Sequence, residues 1–226
     1  MFWIYLFSIQ SLVTSSEPNY PINRNTATKL YNTNELSPKR NIKPSQDVKS
    51  GSCGTNITYS IDQSNHLSIT GDGYIISSCW GDLSTYKNLA VSAEIAENIQ
   101  NIPDNLFRDF ALLTSCIIPN TVTSIGSSAF SYCTSLTAIV IPNSVKTVDT
   151  YAFCGCTSLK DVTLSNQMTA LTDLVFEECS KIETIELPDT ITTIGHSAFS
   201  LCTSLVNITI PNELQSLGPL AFNECH

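Results

Sequence analysis

Five of the nine cysteines in this 226-residue chain recur at a spacing of 23: Cys133, Cys156, Cys179, Cys202 and Cys225. Thiolates are soft metal ligands and redox partners, so this column is the first place to look for chemistry. A metal site needs convergent ligands, and only His66, His196 and His226 could add imidazoles. The period itself favours a different role. One small buried side chain per structural unit is what it asks for, and free Cys packs as a small hydrophobe. Cys154 lies off the column, where other units carry Ser131, Glu177 or Ser200, and is expected to be exposed and reactive. Glu177-Glu178 and the pair Glu183 and Glu186 could do general acid–base work, but only in a concave, desolvated pocket. On surface columns of one divergent unit they read as a solvated acidic patch. No G-x-S-x-G elbow, phosphate loop or H-E-x-x-H occurs. No catalytic residue, cofactor site or metal ligand is therefore assigned, no cofactor is expected, and the chain reads as non-enzymatic.

The elements that position these side chains follow from the same period. Phe107, Phe130, Phe153, Phe176, Phe199 and Phe222 form one register. Ile118, Ile141, Leu164, Leu187 and Ile210 form another. Two residues earlier stand Cys116, Ile139, Val162, Ile185 and Ile208, and three before those stand Leu113, Leu136, Leu159, Ile182 and Leu205. Apolar side chains two apart have strand periodicity with both groups inward. Pro119, Pro142, Pro188 and Pro211 then end each strand by removing a ladder donor. Asn or Asp follows at 120, 143, 166, 189 and 212, ready to turn the chain. Gly126, Gly195 and Gly218 recur in the outer half, with Asp149 and Thr172 as exceptions, and a short helical or 3-10 turn is expected there to carry Phe into the core. A fixed period of about 20–29 residues with L-x-x-I-x-I positions is that of a leucine-rich-repeat solenoid. The fold class expected is thus an α/β repeat: a parallel sheet on one face, short helical or 3-10 turns on the other, and a small β cap at the N-terminal end.

The unit I-P-x-x-V-x-x-I-G-x-x-A-F-x-x-C-x-S-L-x-x-I resembles the leucine-rich repeats of the BspA-like surface proteins. Residues 119–142 and 188–211 match it almost throughout, whereas 165–187 depart from it at Ser165 and Val175. The segment from Gly51-Ser52-Cys53-Gly54 to Gly71-Asp72-Gly73 resembles the module that precedes such repeats, so the likeness spans 51–226. It implies a cell-surface or secreted protein used in adhesion to host cells, extracellular matrix or other microbes. Members often carry a membrane anchor after the repeats, and none is read in this sequence.

Composition sets further bounds. Charged residues are 14%, against a usual share of about 25%; Ser, Thr and Asn carry the polarity instead. Residues 17–50 hold six Lys/Arg against three Asp/Glu, a net of +3, while 51–226 hold five against seventeen, a net of −12. An acidic repeat array repels phosphates, so nucleic acid is discounted as a partner. Residues 1–16 read as a signal peptide, with an apolar run to Val13 and small residues Thr14-Ser15-Ser16 after it. Residues 17–50, rich in proline and polar side chains, read as a disordered linker. Residues 51–95 read as the β cap, which Cys53 and Cys79 would pin as a disulfide, and 96–226 as the repeats, the last incomplete. No integral membrane segment is expected.

The partner is expected to be a protein or glycan on host cells or matrix, met by the outward residues of the sheet. Asp161, Thr163, Thr184 and Glu186 would form the polar centre, with Val140 and Lys160 beside them. Asn56-Ile57-Thr58 and Asn207-Ile208-Thr209 are acceptor sequons in a secreted chain, making Asn56 and Asn207 candidate glycosylation sites. The end at Cys225-His226, inside a sixth unit, leads to an expectation of end-to-end self-association. A self-assembling surface coat is the alternative function.

Overall fold

The computed structural model describes residues 49–225; the signal-peptide segment and nearly all of the linker expected from the sequence lie outside them. Three antiparallel strands open the fold: β1 (Lys49–Gly54), β2 (Ile57–Ile61) and β3 (His66–Gly71). Ile57, Tyr59 and Ile61 alternate inward, as do Leu67 and Ile69, so one face of this meander is buried. A one-turn helix, α1 (Cys79–Leu83), and a 3-10 turn (Ser84–Tyr86) follow. Cys53 on β1 and Cys79 on α1 are joined by a disulfide across Cα atoms 4.6 Å apart.

Parallel pairing starts at β3, which takes β4 (Ser92–Ile95) as its neighbour, and β4 takes β6 (Ser115–Ile117). The same strand position recurs as β8 (Ala138–Val140), β10 (Asp161–Thr163), β12 (Thr184–Glu186) and β14 (Asn207–Thr209). Pairing β8 with β10 and β12 with β14 sets Val162 against Ile139 and Ile208 against Ile185, which is the 23-residue column made physical. A second, shorter ladder contains β5 (Asn101–Ile102), β7 (Ser124–Ile125) and β9 (Thr147–Val148). It continues separately as β11 (Ala170–Leu171), β13 (Thr193–Ile194) and β15 (Ser216–Leu217).

Between the short and long strands the chain forms turns, not the short helices expected. Positive φ recurs in two columns: Asn105, Ser128, Tyr151, Leu174, Ser197 and Leu220, and then Asp109, Tyr132, Gly155, Glu178, Leu201 and Glu224, with values from 52° to 73°. Each reversal breaks a would-be helix after one i→i−3 bond. It also turns the N–H groups of alternate residues toward the next unit. Ser128, Phe130 and Tyr132 donate to the carbonyls of Thr150, Ala152 and Cys154 at 3.0, 2.7 and 2.7 Å, and the pattern repeats down the stack. The physical reason is spacing. Phenylalanine centroids of successive units lie 5.0–5.6 Å apart, whereas a helix with its side chains is about 10–12 Å across. One helix per unit would splay the stack; a third backbone ladder keeps it tight.

The core is a set of columns. All six register phenylalanines stack, with interplanar angles between 3° and 19°. The cysteine column packs beside them, buried at Cys133, Cys156, Cys179 and Cys202 and half-buried at Cys225. Each thiol donates to the phenylalanine carbonyl of the preceding unit, Cys133 to Phe107, Cys156 to Phe130, Cys179 to Phe153 and Cys202 to Phe176, at 3.1–3.2 Å. Hydroxyls do the same on the surface: Thr121 donates to Ile99 O, Ser144 to Val122 O and Thr190 to Met168 O. Bridging carbonyls between units is thus what the abundant Ser and Thr do. Ser165, in the place of proline, is fully buried and satisfied, donating to Val145 O at 2.6 Å and accepting from Gln167 N–H.

The outer glycines make room for a neighbour. Asp173 Oδ1 accepts from the N–H of His196 at 2.7 Å and so folds over Gly195, whose added Cβ would lie 2.6 Å from the Asp173 backbone nitrogen. Asp104 sits in the same way over Gly126. Because that contact is with rigid backbone, Gly195→Ala is expected to destabilise by about 1–3 kcal/mol. A urea midpoint equal to wild type would show that the two units are not packed this closely.

Candidate functional site

The outward side chains of the long-strand ladder form the candidate surface. Their register gives two rows. Ser92, Ser115, Ala138, Asp161, Thr184 and Asn207 make one, and Glu94, Ile117, Val140, Thr163, Glu186 and Thr209 the other. Asp161, Thr163, Thr184 and Glu186 are exposed, as is Lys160, and Val140 is half-buried. The first four do not share one hydrogen-bonded sheet: Asp161 and Thr163 belong to the β8–β10 pair, Thr184 and Glu186 to the β12–β14 pair. Lys160 spans that seam by an ion pair with Glu183 at 3.3 Å. Both partners are more than half exposed, where such a pair is worth about 0–1 kcal/mol. The face is therefore acidic and hydroxyl-rich, with Lys160 already engaged.

Sequence reasoning placed Val140 on this surface but missed its apolar neighbour Ile117. Ile117 is 58% exposed and stands one period before Val140. Val206 at 61% and Leu112 at 47% are also open. The signal was available, since Ile117 falls in an outward column otherwise filled by Glu, Val and Thr.

The cysteine expectations divide. Cys133, Cys156, Cys179 and Cys202 are buried, and burial pushes every one of these thiols well above the ordinary range. Cys154, expected to be exposed and reactive, is neither. It is 3% exposed and its Sγ faces Glu177 Oε2 at 3.5 Å. Burial, reinforced by the Glu177 charge, pushes its thiol up to about 12. A thiolate is the reactive form, so this environment suppresses reactivity. The reason is geometric: its neighbours in the turn layer face the adjacent unit and not solvent. Glu177 is thereby a partner of Cys154. Among the described residues, no group of three His, Cys, Asp or Glu side chains is placed to hold a metal ion, and no helix is long and apolar enough to cross a membrane. Asn56 lies exposed at the β1–β2 turn, and Asn207 exposed on β14.

Six copies of the BspA-type leucine-rich-repeat region are recognised over residues 100–226, more than half of the chain. The chain belongs to the BspA-type leucine-rich-repeat family. No curated protein shows significant sequence similarity to it. Solved structures share the fold of this BspA-type chain. A leucine-rich repeat protein from Bacteroides ovatus matches with a TM-score of 0.59 and 22% identity, over 76% of this chain and 56% of its own. The T. pallidum leucine-rich repeat protein gives 0.57 and 23%, over 71% and 82%. The pneumococcal vaccine antigen PcpA gives 0.50 and 19%, over 73% and 50%. The chain thus spans little more than half the length of the B. ovatus protein.

Proposed function

We propose that this BspA-type protein is a non-enzymatic, cell-surface or secreted protein-binding module that adheres to host cells, extracellular matrix or other microbes through the long-strand face. The observation that carries this reading is the contrast between columns. Inward positions repeat one chemistry unit after unit, while the outward rows vary from Ile117 to Val140 to Thr163 to Glu186. A rigid stack with a varied open face is a surface for docking, and solenoids bind through such faces. Membership of the family supports a surface location, as does the description of one similar structure as a vaccine antigen. The acidic balance of −12 over residues 51–226 favours partners other than nucleic acid.

The test is binding of the full chain to cultured host cells and immobilised matrix proteins, beside a variant with Asp161, Thr163, Thr184 and Glu186 all changed to Ala. All four are exposed, so the variant should keep its thermal midpoint to within about 2–4 °C, as surface substitutions do. Saturable binding that the variant loses locates the site. Undiminished binding by the variant would remove the site from this face. Concentration-dependent self-association by light scattering, without any binding to cells or matrix, would favour the surface-coat alternative.

A further inference from the structure

A second concavity lies away from the long-strand face, along the short ladder. It is a shallow groove of about 310 Å³ whose polar lining comes from Ser77, Asn101, Asp104, Ser124, Thr147 and Asp149. Three strands build it. Asn101, Ser124 and Thr147 are successive members of one outward row on β5, β7 and β9. Asp104 and Asp149 follow just past the ends of β5 and β9. The remaining wall is the loop before α1, and Asn101 ties it down. Its Oδ1 accepts from Ile75 N–H at 2.7 Å and its Nδ2 donates to Ile75 O at 3.1 Å, which sets Ser77 in place.

Each carboxylate is held by one oxygen and offers the other. Asp104 Oδ1 accepts from Ser127 N–H at 2.8 Å, and Asp149 Oδ1 from Thr150 N–H at 2.7 Å. Among the described residues, neither second oxygen has a protein partner, nor do the hydroxyls of Ser77, Ser124 and Thr147. Neighbouring hydroxyls are spent on backbone: Thr121 on Ile99 O, Thr123 on Gln100 O and Ser127 on Thr150 O. The groove therefore gathers two oriented anionic acceptors and three free hydroxyls on a rigid floor, with Ile102 and Ile125 beneath.

That set selects a ligand class. No Lys, Arg or His lines the groove, so an anion would meet two carboxylates and no counter-charge. A cationic side chain would use the carboxylates alone and leave the hydroxyls of Ser77, Ser124 and Thr147 unmatched. A neutral ligand rich in O–H donors matches every group: neighbouring hydroxyls donate to the carboxylates and exchange hydrogen bonds with Ser and Thr. The volume is at the lower end of the roughly 300–1,000 Å³ range of small-molecule sites. We propose that this groove binds a neutral sugar residue of a glycan, independently of the protein-binding face.

The experiment is an amide NMR titration of the full chain, in EDTA, with the methyl glycosides of mannose, galactose and glucose and with N-acetylglucosamine. At least one should give saturable shifts centred on Ser124, Thr147 and Asp149, with the millimolar affinity usual for few-contact ligands, about −4 kcal/mol. Ser124→Ala with Thr147→Ala, and separately Asp149→Asn, should each weaken binding about tenfold or more, equivalent to about 1.4 kcal/mol. The four-alanine face variant should retain the sugar shifts, so failure here and failure of the face reading are distinguishable. Absence of saturable shifts with all four sugars would overturn the proposal. So would shifts elsewhere on the chain, shifts surviving both groove variants, or shifts at these residues produced only by a lysine-rich peptide and abolished by salt.

Discussion

Raising the pH from 8 to 10 is expected to unfold this protein cooperatively. Cys116, Cys133, Cys154, Cys156, Cys179 and Cys202 are buried, and burial holds all six thiols far above their ordinary range. In the unfolded chain they titrate near 8.5. Below that pH both states keep the protons and the stability is present in full. Above it, the unfolded state releases protons that the folded state retains, so stability falls with rising pH until the folded groups themselves titrate. Each thiol contributes a slope of about 1.4 kcal/mol per pH unit, and six together reach on the order of 8 kcal/mol per unit. Against a total stability of about 5–15 kcal/mol for a typical domain, one to two units suffice. Urea melts at pH 7.5, 9 and 10 measure the slope, and Cys156→Ala should reduce it by about one sixth. A midpoint that stays level over this range would mean that the thiols are open to solvent.

Phe153→Ala is expected to remove about 3–5 kcal/mol. The ring is fully buried and stacked on both sides, 5.2 Å from Phe130 and 5.5 Å from Phe176. Its backbone lies in the turn ladder, donating to Val175 O at 3.0 Å and accepting from the Cys179 thiol. A void there has rings above and below that cannot collapse into it without breaking their own registers. In a quasi-one-dimensional stack, where each unit touches only its neighbours, the loss also weakens the coupling between the two halves. Phe222→Ala is the comparison. That ring is half-buried and, among the described residues, stacks on Phe199 alone, so a smaller loss is expected. Equilibrium unfolding in urea separates the two, and equal losses would argue against a continuous aromatic column. Hydrogen exchange on Phe153→Ala should show residues on either side of position 153 opening independently.

Much of this was legible because a solenoid writes its architecture locally. Each inward column is a choice made five or six times, so Phe, Cys and Leu at a spacing of 23 report burial without any knowledge of the fold. Pro119, Pro142 and Pro188 mark strand ends for the same reason: a missing N–H matters wherever a ladder would continue. The cysteine column was readable as packing, though its thiol-to-carbonyl bonds were not, since the acceptor lies 26 residues earlier. The outward residues Asp161, Thr163, Thr184 and Glu186 were correctly read as facing away from the core; the seam between β10 and β12 that divides them was not visible.

The sequence by itself determined the period, the inward columns and the parallel stack, because apolar side chains two apart, repeated at a constant interval, can be buried together in one way only. The tertiary structure decided what depends on distance between units. Stacking at 5.0–5.6 Å leaves no room for a helix per unit and imposes positive φ on residues such as Leu174 and Tyr151, whose types do not call for it. The same closeness buries Cys154 against Glu177 and requires glycine beneath Asp104 and Asp173. The groove, too, belongs to the tertiary level: Ser77 of the cap loop meets Ser124 and Thr147 through an amide clasp at Asn101, a convergence of segments that no periodicity encodes.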